Sequence, residues 1–183
     1  LEDLSLHLLD IAENSLEAGA TVIEVVIDED LRRNRLLLQV KDNGRGLDPE
    51  VRRQVLDPFY TSKTTHRVGL GLPLLAQAAK EAEGDLTIDS QAGKGTTLTA
   101  QFVYDHIDRK PLGDLAATLI TLIAAKGLGI DISYRHRKND EEFFFDTREI
   151  KEELQEVPIN TPEVLNFLRE TIASGINDLK KEH

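Results

Sequence analysis

Leu36-Leu37-Leu38-Gln39-Val40-Lys41-Asp42-Asn43-Gly44-Arg45-Gly46 carries the clearest signal in the chain. Its apolar first half predicts a strand over Leu36 to Lys41, and its second half is a glycine-studded loop. A carboxylate held at a strand end can accept a hydrogen bond from an exocyclic amine, and Gly44 and Gly46 let backbone come close to a flat ring. An Asn-Gly pair is also ordinary turn chemistry, so this stretch alone leaves both readings open.

Upstream, Thr21 to Asp28 reads as a second strand, joined to the first through the polar turn Asp30 to Asn34. Leu4, Leu8, Ile11, Ala12 and Leu16 recur at helical spacing and predict an amphipathic helix from about Asp3 to Ala18, ending at Gly19. Its other stripe is His7, Asp10, Asn14 and Glu17. Asp10 and Asn14 lie one turn apart on one face, a carboxylate and a carboxamide able to hold magnesium and orient a water; a plain polar helix face is the alternative.

Downstream, Asp48-Pro49 predicts the start of a short helix, while Asp57 to Val68 shows neither helical nor strand period and reads as a loop. Val68-Gly69-Leu70-Gly71-Leu72 opens a helix that closes at Gly84; free amides and the helix dipole at such a start favour phosphate. Strands Asp85 to Ser90 and Thr96 to Tyr104 flank the turn Ala92 to Gly95. Gly93-Lys94-Gly95-Thr96-Thr97 fails as a P-loop, because glycine follows Gly-Lys and the upstream glycine is missing. Helix, strands, loop, helix, strands is the pattern of a two-layer α/β sandwich with a mixed sheet.

After about Asp105 the pattern restarts as αββαα: a helix over Leu112 to Ala125, strands Ile130 to His136 and Glu142 to Asp146, a helix capped by Asp146 with Glu149, and a last helix begun by Thr161-Pro162. The chain is therefore expected to divide into residues 1–104 and a regulatory or docking region, 105–183. Phe143-Phe144-Phe145 puts aromatics on both faces of its strand, and Arg135-His136-Arg137-Lys138 is a basic knot suited to a solvated strand end or an acidic partner.

Composition narrows the function. A net charge of −11 over 183 residues repels phosphate backbones and anionic membranes, which argues against nucleic acid or a membrane as partner. With no cysteine there is no disulfide, thiolate metal site or cysteine nucleophile, as suits a cytoplasmic protein. The longest apolar stretch, around Leu115 to Ala125, is too short to span a bilayer.

The order and spacing of these motifs resemble the GHKL superfamily of ATPases and kinases, which includes DNA gyrase, a heat-shock chaperone, histidine kinases and mismatch-repair proteins of the MutL type. Residues 3 to about 104 are similar to its ATP-binding domain. Asn14 falls on the N box, Asp42, Gly44 and Gly46 on the D-x-G-x-G box, Asp57-Pro58-Phe59-Tyr60 on the F box, Gly69 and Gly71 on the second glycine box, and Gly93, Gly95 and Thr96 on the last. Glu13 to Thr21 looks like the mismatch-repair version, and Gly69 to Thr97 like the histidine-kinase version.

The resemblance implies a Bergerat-type fold binding ATP and magnesium. In it Asn14 holds the metal, Asp42 reads the adenine amine, Thr96 supports it, and Gly69, Leu70 and Gly71 lie at the phosphates. Phe59 to Val68 would be the ATP lid, from which Lys63, His66 or Arg67 reaches the terminal phosphates. Hydrolysing members carry glutamate four residues before the N-box asparagine; this chain has Asp10, one methylene shorter. A misplacement of about 1 Å can cost roughly 100-fold, so slow hydrolysis at best is expected.

His7, His106 and His136 lack the acidic residue and proline that follow a kinase phosphoacceptor, so an acceptor would lie elsewhere, on a separate protein. The expected function is a histidine-kinase-like module of signal transduction, passing phosphate to a partner or turning ATP over slowly. The alternative is a non-catalytic switch, in which ATP orders the lid and changes affinity for a partner protein. A homodimer is a further open partner.

Overall fold

In a computed structural model the residues described are 2–55 and 71–181. The phenylalanine box and lid, residues 57–68, together with Gly69 and Leu70, lie outside them, and so do the candidate positions Phe59 and Lys63.

The periodic helix at the start is α1 (Leu4–Glu17), where Asp3 caps the first turn by accepting from the Leu6 amide at 3.1 Å. It leads into the hairpin β1 (Val22–Asp30) and β2 (Arg35–Asp42), paired antiparallel with Ile27 opposite Leu38 and Val25 opposite Val40. Short α2 (Pro49–Val55) follows, and beyond the undescribed stretch come α3 (Gly71–Glu81), β3 (Asp85–Gln91) and β4 (Gly95–Val103). β4 pairs antiparallel with both β2 and β3.

The remaining elements follow in the expected order: α4 (Leu115–Lys126), β5 (Asp131–Lys138), β6 (Glu141–Asp146), α5 (Thr147–Leu154) and α6 (Pro162–Lys180). The boundary expected at residue 104 falls in the link between β4 and α4. Beyond it the sheet continues: β5 lies parallel to β1, and β6 pairs antiparallel with β5. One six-stranded mixed sheet results, ordered β3-β4-β2-β1-β5-β6.

Alternate residues of β1 and β2 are buried and half-buried, as a sheet covered on one face requires. Ile23, Val25, Ile27, Leu36, Leu38, Val40, Leu98, Phe102 and Ile132 form the covered face. α1, α3 and α6 pack on the sheet, and α4 packs against α1 and α6. The aromatic run of β6 divides accordingly. Phe145 is buried and Phe143 packs on the core, while Phe144 is exposed on the other face beneath the Arg135 guanidinium, 4.7 Å from its ring centroid.

Burial along β1 and β5 extends to polar groups. Glu29 ends the buried face of β1, and His136, two strand positions beyond Tyr134, lies opposite Ile27. The Tyr134 hydroxyl meets His136 Nδ1 at 2.7 Å, His136 Nε2 meets Glu29 Oε2 at 2.7 Å, and the Tyr104 hydroxyl donates to Glu29 Oε1 at 3.1 Å. His136 is 1% exposed, so the basic knot is not a solvated strand end at its centre. Burial alone would raise the Glu29 carboxyl, but the hydrogen bonds and charge of His136 and the bond from Tyr104 outweigh it and hold it below the usual carboxylate range. These contacts join residues on either side of position 104 within one core.

Candidate functional site

The loop after β2 is held by its own side chains. Asn43, although exposed, folds back on the start of β1, accepting from the Thr21 and Val22 amides at 2.8 and 2.9 Å and donating to Thr21 Oγ1 at 2.9 Å. That anchors the start of β1 to the end of β2 and leaves Asp42 pointing along the covered face. Gly46 has φ +76°, and a Cβ there would fall 2.1 Å from the Gln91 carbonyl oxygen, so only glycine lets this loop lie against the end of β3.

Asp42 is met from two sides. Ser15 of α1 donates to Oδ2 at 2.6 Å, and the Gly44 amide donates to Oδ1 at 2.9 Å. A carboxylate offers about four lone-pair positions, so acceptor capacity remains for a ligand. Thr96 lies directly opposite Asp42 in the β2–β4 pair, on the same face.

These residues border an open cleft of about 110 Å3. Asn14, Asp42, Gly46 and Thr96, expected from the sequence, all line it. Ile11, Val40, Leu47, Leu72 and Leu98 make its apolar wall, and Glu17 and Arg45, both exposed, stand at its edge. Apolar walls with the Asp42 carboxylate between them suit a heterocycle carrying an amino group. The Asn14 carboxamide makes no hydrogen bond among the described residues, and is free to offer its oxygen to a hard cation such as magnesium.

Three expected residues among those described, Asp10, Gly44 and Gly71, do not border the cleft. Gly44 is buried and acts through its amide on Asp42. Asp10 lies against the start of α3: a Cβ on Gly71 would fall 2.6 Å from Asp10 Oδ2. Gly71 is thus the residue that lets the carboxylate approach a helix N-terminus, where anions are favoured.

His7, on the same stripe of α1, is neither solvated nor at the cleft. It is 1% exposed and borders a separate hollow with Leu74, Gln77, Ala78, Glu81 and Lys110, because α3 packs along α1 there. Burial, followed by nearby positive charge including Lys110, lowers its pKa.

Sequence reasoning passed over two hydroxyls. Ser15 sits on the apolar stripe with Leu8, Ile11 and Ala12, and Ser90 alternates with Leu86 and Ile88 on the covered face of β3. A serine placed where periodicity demands an apolar residue is the signal that could have found both. Ser90 Oγ accepts from the Leu47 amide at 2.6 Å and lies 2.9 Å from Thr96 Oγ1.

Residues 2–106 match the family model described as histidine kinase-, DNA gyrase B-, and HSP90-like ATPase. Over 88 residues, 48% of this chain, the sequence is 36% identical to sporulation kinase C of Bacillus subtilis, covering 20% of that protein. Over 115 residues, 61% of this chain, it is 30% identical to the tetrathionate sensor histidine kinase of Salmonella typhimurium, covering 19% of that protein. The chain thus spans about a fifth of the length of these curated relatives. Among solved structures, the N-terminal domain of a DNA repair protein superposes with a TM-score of 0.55 at 16% identity, covering 79% of this chain and 52% of that one, a likeness of fold alone.

Proposed function

Because the chain belongs to the histidine kinase-, DNA gyrase B-, and HSP90-like ATPase family, we propose that its cleft binds ATP with magnesium and that it works in signal transduction in the cytoplasm. The observation that carries this reading is the Asp42 carboxylate, fixed by Ser15 and Gly44 in an apolar cleft, where it can accept from the adenine amine. Thr96 stands beside it, and Asn14 supplies the metal's protein oxygen, the remaining ligands being phosphate and water oxygens. Gly69, Leu70 and Gly71 would receive the phosphates at the start of α3, and Phe59 to Val68, with Lys63, would close over them.

The output proposed is phosphotransfer to a separate protein, or slow hydrolysis with Asp10 as base. The position of Asp10 beside Gly71 supports a role near the terminal phosphates. In the second reading ATP binding is itself the signal, and lid ordering alters affinity for a partner. It is favoured by the fact that Asp10 does not border the cleft. Kinship with named sensor kinases supports the signalling context. Incubation with γ-labelled ATP and cell extract tests the output: label on a protein is expected for phosphotransfer, and unchanged ATP would overturn the catalytic reading in favour of the switch.

A further inference from the structure

Ser90 does not border the cleft, yet it touches Thr96, whose hydroxyl stands in the cleft beside Asp42. Its oxygen is committed on one side, where the Leu47 amide donates at 2.6 Å. Its single hydrogen has two acceptors in reach, Thr96 Oγ1 at 2.9 Å and the Gly95 carbonyl at 3.3 Å. Either oxygen could donate across the Ser90–Thr96 contact, and the charge of Asp42 decides for Ser90 as donor. Thr96 then accepts from Ser90 and must send its own hydrogen elsewhere, and the open direction is the cleft. The Asp42 carboxylate across the strand pair sets this sense, since lone pairs turned toward it would be repelled and a hydrogen attracted.

We infer that Ser90 is a positioning residue that sets the polarity of Thr96 and, through it, the base preference of the site. This rests on the adenine-nucleotide reading above and extends it. With Ser90 donating, the site presents an acceptor, Asp42, next to a donor, Thr96. Adenine offers the complement, an amino donor at position 6 next to the acceptor N1. Hypoxanthine and guanine offer the reverse, an oxygen acceptor at position 6 next to N1–H, and meet acceptor with acceptor and donor with donor. Leu47 belongs to the loop that follows Gly46, so the bond from its amide also ties the glycine loop to this device.

Calorimetric titration of the full chain with ATP and with inosine triphosphate, magnesium present, tests the inference. The two ligands differ only at position 6 and N1. The wild type should prefer ATP. Ser90→Ala frees Thr96 to turn either way, so the ATP-to-inosine preference should narrow by roughly tenfold or more, while Ser90→Thr, which keeps the hydroxyl, should retain it. An unchanged preference in Ser90→Ala overturns the role of Ser90 and leaves the adenine reading standing. A wild type that binds no ATP overturns both. Should Ser90→Ala fail to fold, Thr96→Val carries the test: the same narrowing is expected, and an unaltered preference contradicts the inference.

Discussion

Ser15 Oγ lies 2.6 Å from Asp42 Oδ2, joining the helix that carries Asn14 to the strand that carries the base-reading carboxylate. The bond spans 27 positions of sequence and sets the distance between the proposed metal and adenine ends of the cleft. Ser15→Ala would remove a charge-assisted donor from a half-buried carboxylate. A loss of about 1–3 kcal/mol in stability is expected, with weaker ATP binding. Chemical denaturation of the two forms, with and without ATP, measures both; equal midpoints would contradict it.

The buried link between β1 and β5 sets an acid limit on the fold. Glu29 has its carboxyl held below its ordinary value of 4.5, so the unfolded chain takes up this proton first as pH falls. Its contribution is complete above about pH 4.5 and is lost as pH drops through the lower folded value. Glu29→Gln should melt earlier than wild type at pH 7, and the gap should close on acidification toward pH 3. A gap that stays constant with pH would show that the carboxylate charge plays no part.

Gly71→Ala tests the approach of Asp10 to α3. Alanine within a helix ordinarily stabilises by about 0.5–1 kcal/mol relative to glycine. Here the added methyl meets Asp10 Oδ2, the end of a half-buried side chain that must swing aside, so that gain should be cancelled, leaving a net change within about 0.5 kcal/mol of zero. In an Asp10→Ala background the ordinary gain should return, since the obstructing oxygen is gone. Thermal melts of the four proteins decide it; a gain still absent without Asp10 would place the conflict elsewhere.

Asp10→Asn addresses the chemistry. If Asp10 serves as base in slow hydrolysis, phosphate release should fall by roughly 100-fold or more while ATP affinity stays within about threefold. An unchanged rate would remove Asp10 from the chemistry and favour the switch.

Much of this was legible in the sequence because its signals are local. The helical spacing of Leu4 to Leu16, the apolar run ending in Asp42, and the glycines at 44 and 46 each report on their immediate neighbours, and Asn14, Asp42 and Thr96 do converge on one cleft. What stayed hidden is non-local. Nothing around Ile130 announces that its strand will lie parallel to β1, because strand partners are chosen by a whole sheet's burial. For the same reason the bond from His136 to Glu29, 107 positions apart, was invisible and the basic knot read as solvated. The approach of Asp10 to Gly71 was hidden too, because Gly71 belongs to a helix whose packing against α1 no motif encodes.

The most direct test of the account is calorimetry of the wild-type chain and Asp42→Asn with ATP and magnesium. Asparagine keeps the shape but loses the charge and one acceptor that the adenine amine needs. The account predicts saturable one-to-one binding by the wild type and none detectable by Asp42→Asn at the same concentrations. Equal binding by both proteins, or no heat from the wild type, would contradict it.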